Sequence, residues 1–68
     1  MSKFEIIITT VPYREKFTAE IWFGEIHVAE INQDNLEPEI ELFDMGRVKA
    51  PLKDFQQAIQ TAMKELNI

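Results

Sequence analysis

Apolar and polar positions alternate with a period of two over much of the first 43 residues, then recur at spacings of three and four from position 52 onward. A period of two sends successive side chains to opposite faces of a strand, whereas three-and-four spacing lines one face of a helix. The chain therefore reads as several strands followed by one helix. Strand character falls at about 3–11, 17–23, 26–31 and 39–43. In the first of these, Phe4, Ile6 and Ile8 lie on one side and Ile7, Thr9 and Val11 on the other, which predicts a strand covered at least partly on both faces, as an interior strand is. Pro12 stops it, and 12–16 reads as a connection.

Gly24 followed by Glu25 suits a two-residue type II′ turn, with Gly in the first, positive-φ position. That turn pairs Phe23 with Ile26, Trp22 with His27, Ile21 with Val28 and Glu20 with Ala29. Phe17, Ala19, Ile21, Phe23, Ile26 and Val28 then share an apolar face suited to lie beneath a helix. Thr18, Glu20, Trp22, His27, Ala29 and Ile31 lie opposite. A turn centred on Phe23-Gly24 is the alternative, at the expense of a positive φ at Phe23. Residues 32–35 (Asn-Gln-Asp-Asn) are turn formers, and Pro38 marks the end of that loop. Residues 39–43 alternate again, 44–46 turn the chain, and 47–50 form a short extended piece leading to the helix.

The helix spans about 51–66. Pro51 fits its first turn, and Asp54 lies near the positive end of the dipole. Leu52, Phe55, Ile59, Ala62 and Leu66 form an apolar stripe flanked by Ala58 and Met63, long enough to cover one face of a four-stranded sheet. The expected fold is α+β: an antiparallel β-meander of three to five strands with one C-terminal α-helix packed on one face, residues 1–68 making a single domain.

Composition narrows the function. Hydrophobic residues make up 46% of the chain, which supports a packed core rather than disorder. A core this small leaves a narrow margin and there is no Cys to staple it, so self-association as a homodimer stays open. The net charge is −5, and its distribution matters more than its sum. All seven Lys and Arg lie at 3–16 or 47–64, while 17–46 holds Glu20, Glu25, Glu30, Asp34, Glu37, Glu39, Glu41 and Asp44. That field repels nucleic-acid phosphates and anionic lipid and attracts basic proteins. Direct nucleic-acid binding and membrane association are therefore not expected. Residues 1–5 lack a basic, apolar leader pattern, so a cytoplasmic protein is expected.

Catalytic chemistry finds little support. There is no Cys, the only Ser is Ser2, and no Thr carries a motif, so a nucleophilic triad has no nucleophile. Glu20, Glu25 and His27 have no metal-ligand spacing, and 32–37 lacks the length and Gly of a calcium loop. Gly24 and Gly46 are too few for a phosphate loop. No catalytic residue, cofactor or metal is expected, and the protein reads as a non-enzyme. What remains is the second sheet face, where Trp22, His27, Ile31, Phe43 and the surrounding Glu residues have the make-up of an interface hot spot. Trp22 packing on His27 and Ile7 merely to finish a thin sheet is the competing account. The residues expected to bind a partner are Glu20, Trp22, Glu25, His27, Glu39 and Glu41.

The acidic meander around 20–31 (Glu-Ile-Trp-Phe-Gly-Glu-Ile-His-Val-Ala-Glu-Ile), followed by one amphipathic helix at 52–66, resembles the small immunity proteins encoded beside bacterial polymorphic or contact-dependent toxins. The resemblance implies a non-enzymatic inhibitor that binds a basic toxin or nuclease-like domain. Phage-encoded inhibitors that mimic nucleic-acid charge, including anti-CRISPR proteins, share the acidity and size. A structural homodimer burying the Trp22 face is the third expectation.

Overall fold

The computed structural model describes residues 3–10, 16–43 and 46–68. Among them are four strands, β1 (Phe4–Thr9), β2 (Thr18–Phe23), β3 (Ile26–Asn32) and β4 (Glu39–Leu42), and one helix, α1 (Leu52–Leu66). The strands form one antiparallel sheet in the order β1-β2-β3-β4, and α1 packs on one face of it. The fold is thus the α+β meander with a C-terminal helix that the two periodicities predict. Val11, Pro12 and most of the predicted connection at 12–16, with Asp44 and Met45 of the turn before Gly46, lie outside the described residues. Among the described residues no helix is long and apolar enough to cross a membrane.

The β2–β3 turn is the predicted one. Phe23 pairs with Ile26, Gly24 has φ +62°, and Glu25 is not among the positive-φ residues, which is the II′ pattern. A Cβ at Gly24 would meet nothing within 4 Å, so only backbone strain opposes a side chain there. Gly24→Ala is expected to lower stability by about 1–2 kcal/mol. The urea midpoint measures this, and an unchanged midpoint would show that the turn relaxes at no cost.

Beyond the first two pairs the hairpin departs from simple alternation. Trp22 faces His27 as expected, but Ile21 faces Ala29 and Glu20 faces Glu30, so Val28 is an extra residue opposite the Ile21/Trp22 step. This β-bulge reverses the facing of the rest of β3. Ala29 and Ile31, expected on the outer face, turn towards α1 and are buried, while Val28 still packs against the core. The physical reason is Glu30. In an unbroken strand it shares a face with Ile26 and Val28 and lies in the core, where a carboxylate without a partner is costly. One inserted residue exchanges it for two apolar side chains.

The core combines Ala19, Ile21, Ala29 and Ile31 of the sheet with Ala58, Ala62 and Leu66 of α1. Alanines on both sides let the helix approach closely. Phe4 extends this core towards the hairpin end, with ring centroids 4.8 Å from Phe23 and 5.6 Å from Phe55. Four expectations need correction. Phe17 stands before β2 and is 57% exposed rather than part of the apolar face. Leu52, counted in the helix stripe, is 72% exposed. The helix lies chiefly over β1 and β2 rather than across the whole sheet, so Ile40 and Leu42 on that same face remain exposed. And β1 is an edge strand, with Ile7 43% exposed, rather than an interior one.

The ends of the elements have local causes. Asn32 closes β3, and its Oδ1 accepts the Asp34 N–H at 3.3 Å, an Asx-type turn that starts the loop to β4. Gln33 Nε2 ties that loop to the Phe17 carbonyl at 3.1 Å. Residues 47–50 hold no strand. In α1, Phe55 N donates to Pro51 O at 3.1 Å, and Asn67 ends the helix in the left-handed conformation at φ 61°, ψ 45°. The Asn67 and Ile68 N–H groups then donate to the Lys64 and Met63 carbonyls, each at 3.0 Å, the Schellman pair that satisfies a helix end.

Candidate functional site

The face turned away from α1 is organised as rows running across the strands. Because directly paired residues share a face, one row is Ile7, Glu20, Glu30 and Glu41, from β1 through β4. The next is Glu5, Trp22 and His27, extended by Phe43. Phe43 N donates to Val28 O at 3.0 Å, which holds its ring in line just past the end of β4.

The aromatic row is ordered by stacking. Trp22 and His27 lie nearly parallel, 8° apart with centroids at 4.7 Å, and Phe43 tilts against the other side of His27 at 4.7 Å and 56°. The Trp22 indole N–H donates to Glu20 Oε1 at 3.0 Å, which couples the aromatic row to the acidic one. His27 Nε2 is buried in this sandwich and has no hydrogen-bond partner. An unmet buried polar atom costs about 1–3 kcal/mol. His27→Phe keeps a ring in the stack and removes that atom, so it is expected to raise stability by about 1 kcal/mol. Thermal or urea unfolding checks it, and a drop would mean that the imidazole nitrogen contributes a favourable contact.

The bulge is what builds the acidic row. Three carboxylates stand opposite one another across β2, β3 and β4, an arrangement that costs a sheet about 0.2–1 kcal/mol for each like-charged pair. Of the expected partner-binding residues, Glu20, Trp22, His27 and Glu41 come together in one patch. Glu39 lies one row further on, opposite Asn32, and accepts a hydrogen bond from Asn35 Nδ2. Glu25 sits apart, exposed in the turn at the hairpin end. Ile31, expected on this face, is in the core, and Glu30, absent from the expected set, sits at the middle of the acidic row. Straight alternation would bury Glu30 beneath the helix, and the bulge turns it outward instead.

Chemically, this face offers carboxylates, a stacked imidazole and apolar rings. Among the described residues no three His, Asp or Glu side chains converge as a metal-ion site. No protein-family model matches the chain, and no curated protein or solved structure matches it either.

Proposed function

We propose that the protein is a non-enzymatic binding module of the immunity or inhibitor kind, which docks a basic partner protein through its outer sheet face. The observation that carries this reading is the row Glu20–Glu30–Glu41 set beside the ordered Trp22–His27–Phe43 row. Apolar rings already held by stacking lose little conformational freedom on burial, and flat aromatic surface is the usual anchor of an interface. Carboxylates aligned across a sheet weaken the sheet but draw in a cationic surface and fix its register. No Lys or Arg occurs from Phe17 to Gly46, so this stretch has a single sign of charge. The proposal includes a cytoplasmic location, checked by fractionating cells that make the protein.

The test is capture from those cells on immobilised protein, wild type against Glu20→Lys/Glu41→Lys. The wild type is expected to retain a basic protein that salt releases, and the double variant to lose it. Equal capture by both would overturn the reading.

A second reading, a structural homodimer, draws on a different surface from the one expected at Trp22. Leu42, 68% exposed, borders a groove of about 350 Å³ shared with Val28, Val48, Leu52 and Phe55 on the helix side of the sheet. Sedimentation separates the readings: a dimer lost in Leu42→Lys but kept in Trp22→Ala supports this one, and a monomer throughout removes it.

A further inference from the structure

We infer that the free edge of β1 is a second recognition element, which takes up an extended segment of a basic protein as a fifth strand. The inference rests on the reading of the protein as a binder of a basic partner, and adds where and in what conformation part of that partner is held.

The two edges of the sheet are unlike. At β4 the strand is short, preceded by Pro38, and alternates Glu39 and Glu41, all features that discourage further pairing. At β1 the strand is longer, Phe-Glu-Ile-Ile-Ile-Thr, and pairs with β2 over its whole length without a bulge. It has no Pro or Lys, and no described strand lies on its other side. An edge of that composition is a template for strand addition.

The pairing pattern says which groups it presents. Gly24 N donates to Lys3 O at 3.1 Å, which makes Lys3 and Gly24 a directly bonded pair in the same register as β1 and β2. Bonded and non-bonded pairs alternate along an antiparallel ladder, so Glu5, Ile7 and Thr9 bond inward to β2. The N–H and C=O groups of Ile6 and Ile8 therefore point outward along the open edge. An added strand would lie about 4.8 Å beyond β1 and bond to these groups.

A place for its side chains exists. Between β1 and the near flank of α1 runs a groove of about 390 Å³, lined by Ile6, Ile8, Ala58 and Thr61 with Asp54 and Glu65 also on its wall. Alternate apolar side chains of an added strand would enter this groove. Those between them would emerge on the outer face beside Glu5 and Ile7, continuing the Ile7–Glu20–Glu30–Glu41 row. The occupant that fits has Val, Ile or Leu alternating with Lys or Arg. Charge also argues against a second copy of this chain: its own β1 brings Glu5 and no cation, the groove wall brings Asp54 and Glu65 with no Lys or Arg, and each chain carries −5.

The probe is a short peptide alternating Lys and Val, added to the whole protein and followed by NMR-detected amide exchange. In the free protein the Ile6 and Ile8 amides should exchange at least tenfold faster than those of Glu5 and Ile7. The peptide should protect Ile6 and Ile8 and shift the Ala58 and Thr61 resonances. Two changes should each weaken binding tenfold or more: N-methylation of the peptide on its bonding edge, and Thr61→Arg, which fills the groove and adds a positive charge beside Asp54 and Glu65 at an exposed helix position. The inference is overturned if Ile6 and Ile8 gain no protection, or if both changes leave affinity intact. It is also overturned if those amides are already protected in a protein that sediments as a dimer, for then a second copy holds the edge. Glu41→Lys, at the far side of the sheet, separates the two proposals. Peptide binding unaffected by Glu41→Lys, alongside partner capture also unaffected, removes the sheet-face reading and leaves the edge standing. Capture lost in Glu41→Lys without any peptide protection removes the edge alone.

Discussion

Ile21→Ala is expected to take away a large part of the protein's stability. Ile21 is 0% exposed and is, among the described residues, the largest fully buried apolar side chain, sitting in β2 between its partners Ile6 and Ala29 and facing the helix. Removing that much buried hydrocarbon costs about 2–5 kcal/mol, because the walls of the resulting cavity close only in part. A chain of 68 residues has a total stability on the order of 3–10 kcal/mol at the usual stability per residue. The core has little else to offer: among the described residues, four of the seven buried apolar side chains are alanines, which bring close packing but little area. The urea midpoint should fall by about 2 M or more for an m-value of about 1 kcal/mol/M. A shift under about 0.5 M would mean that β2 and α1 are not packed as described.

Charge reversal at Glu20 has the largest expected effect on binding. This carboxylate lies in the acidic row and also holds the Trp22 indole, so Glu20→Lys changes the field and frees the ring together. A loss of about tenfold to a hundredfold in affinity for the basic partner is expected, which is about 1.4–2.8 kcal/mol. The loss should shrink at high salt, since screening weakens the attraction that the variant removes. Glu20→Gln keeps an oxygen to accept the indole N–H while removing the charge. If the Gln variant binds as the wild type does, the ring orientation matters and the charge does not. If Gln loses most of what Lys loses, attraction by the acidic row is the main term. Titration calorimetry with the captured partner reads both. An unchanged affinity in Glu20→Lys would overturn the sheet-face proposal.

Several particulars show how far pattern reading reaches. Gly24 announced its turn, because a two-residue hairpin with a positive φ at its first position selects Gly and leaves little choice of closing pair. The Trp22–His27 stack followed from that turn alone, two positions from it on either side. The prediction failed one residue beyond His27, at Val28, because a bulge conserves the apolar content of a segment while moving it by one place. Nothing local at Val28 marks it. What decides it is that Glu30 belongs in water and Ala29 and Ile31 do not, a comparison that has meaning only once a helix covers one face.

The same limit explains β1. Its apolar residues on both faces fit an interior strand, and they equally fit an edge whose outer Ile7 is left exposed. Local periodicity depends on the chain's own two faces, whereas rank in the sheet depends on which strands pair and on the reach of the helix. By itself the sequence determined the element types, the β2–β3 turn, the amphipathic face of α1 and the concentration of acid between Phe17 and Gly46. Only the tertiary structure decided that Glu20, Glu30 and Glu41 line up, that β1 is left open, and that α1 covers half the sheet. Those outcomes come from long-range pairing, in which one register is selected because it buries the most apolar surface while leaving each carboxylate outside the core.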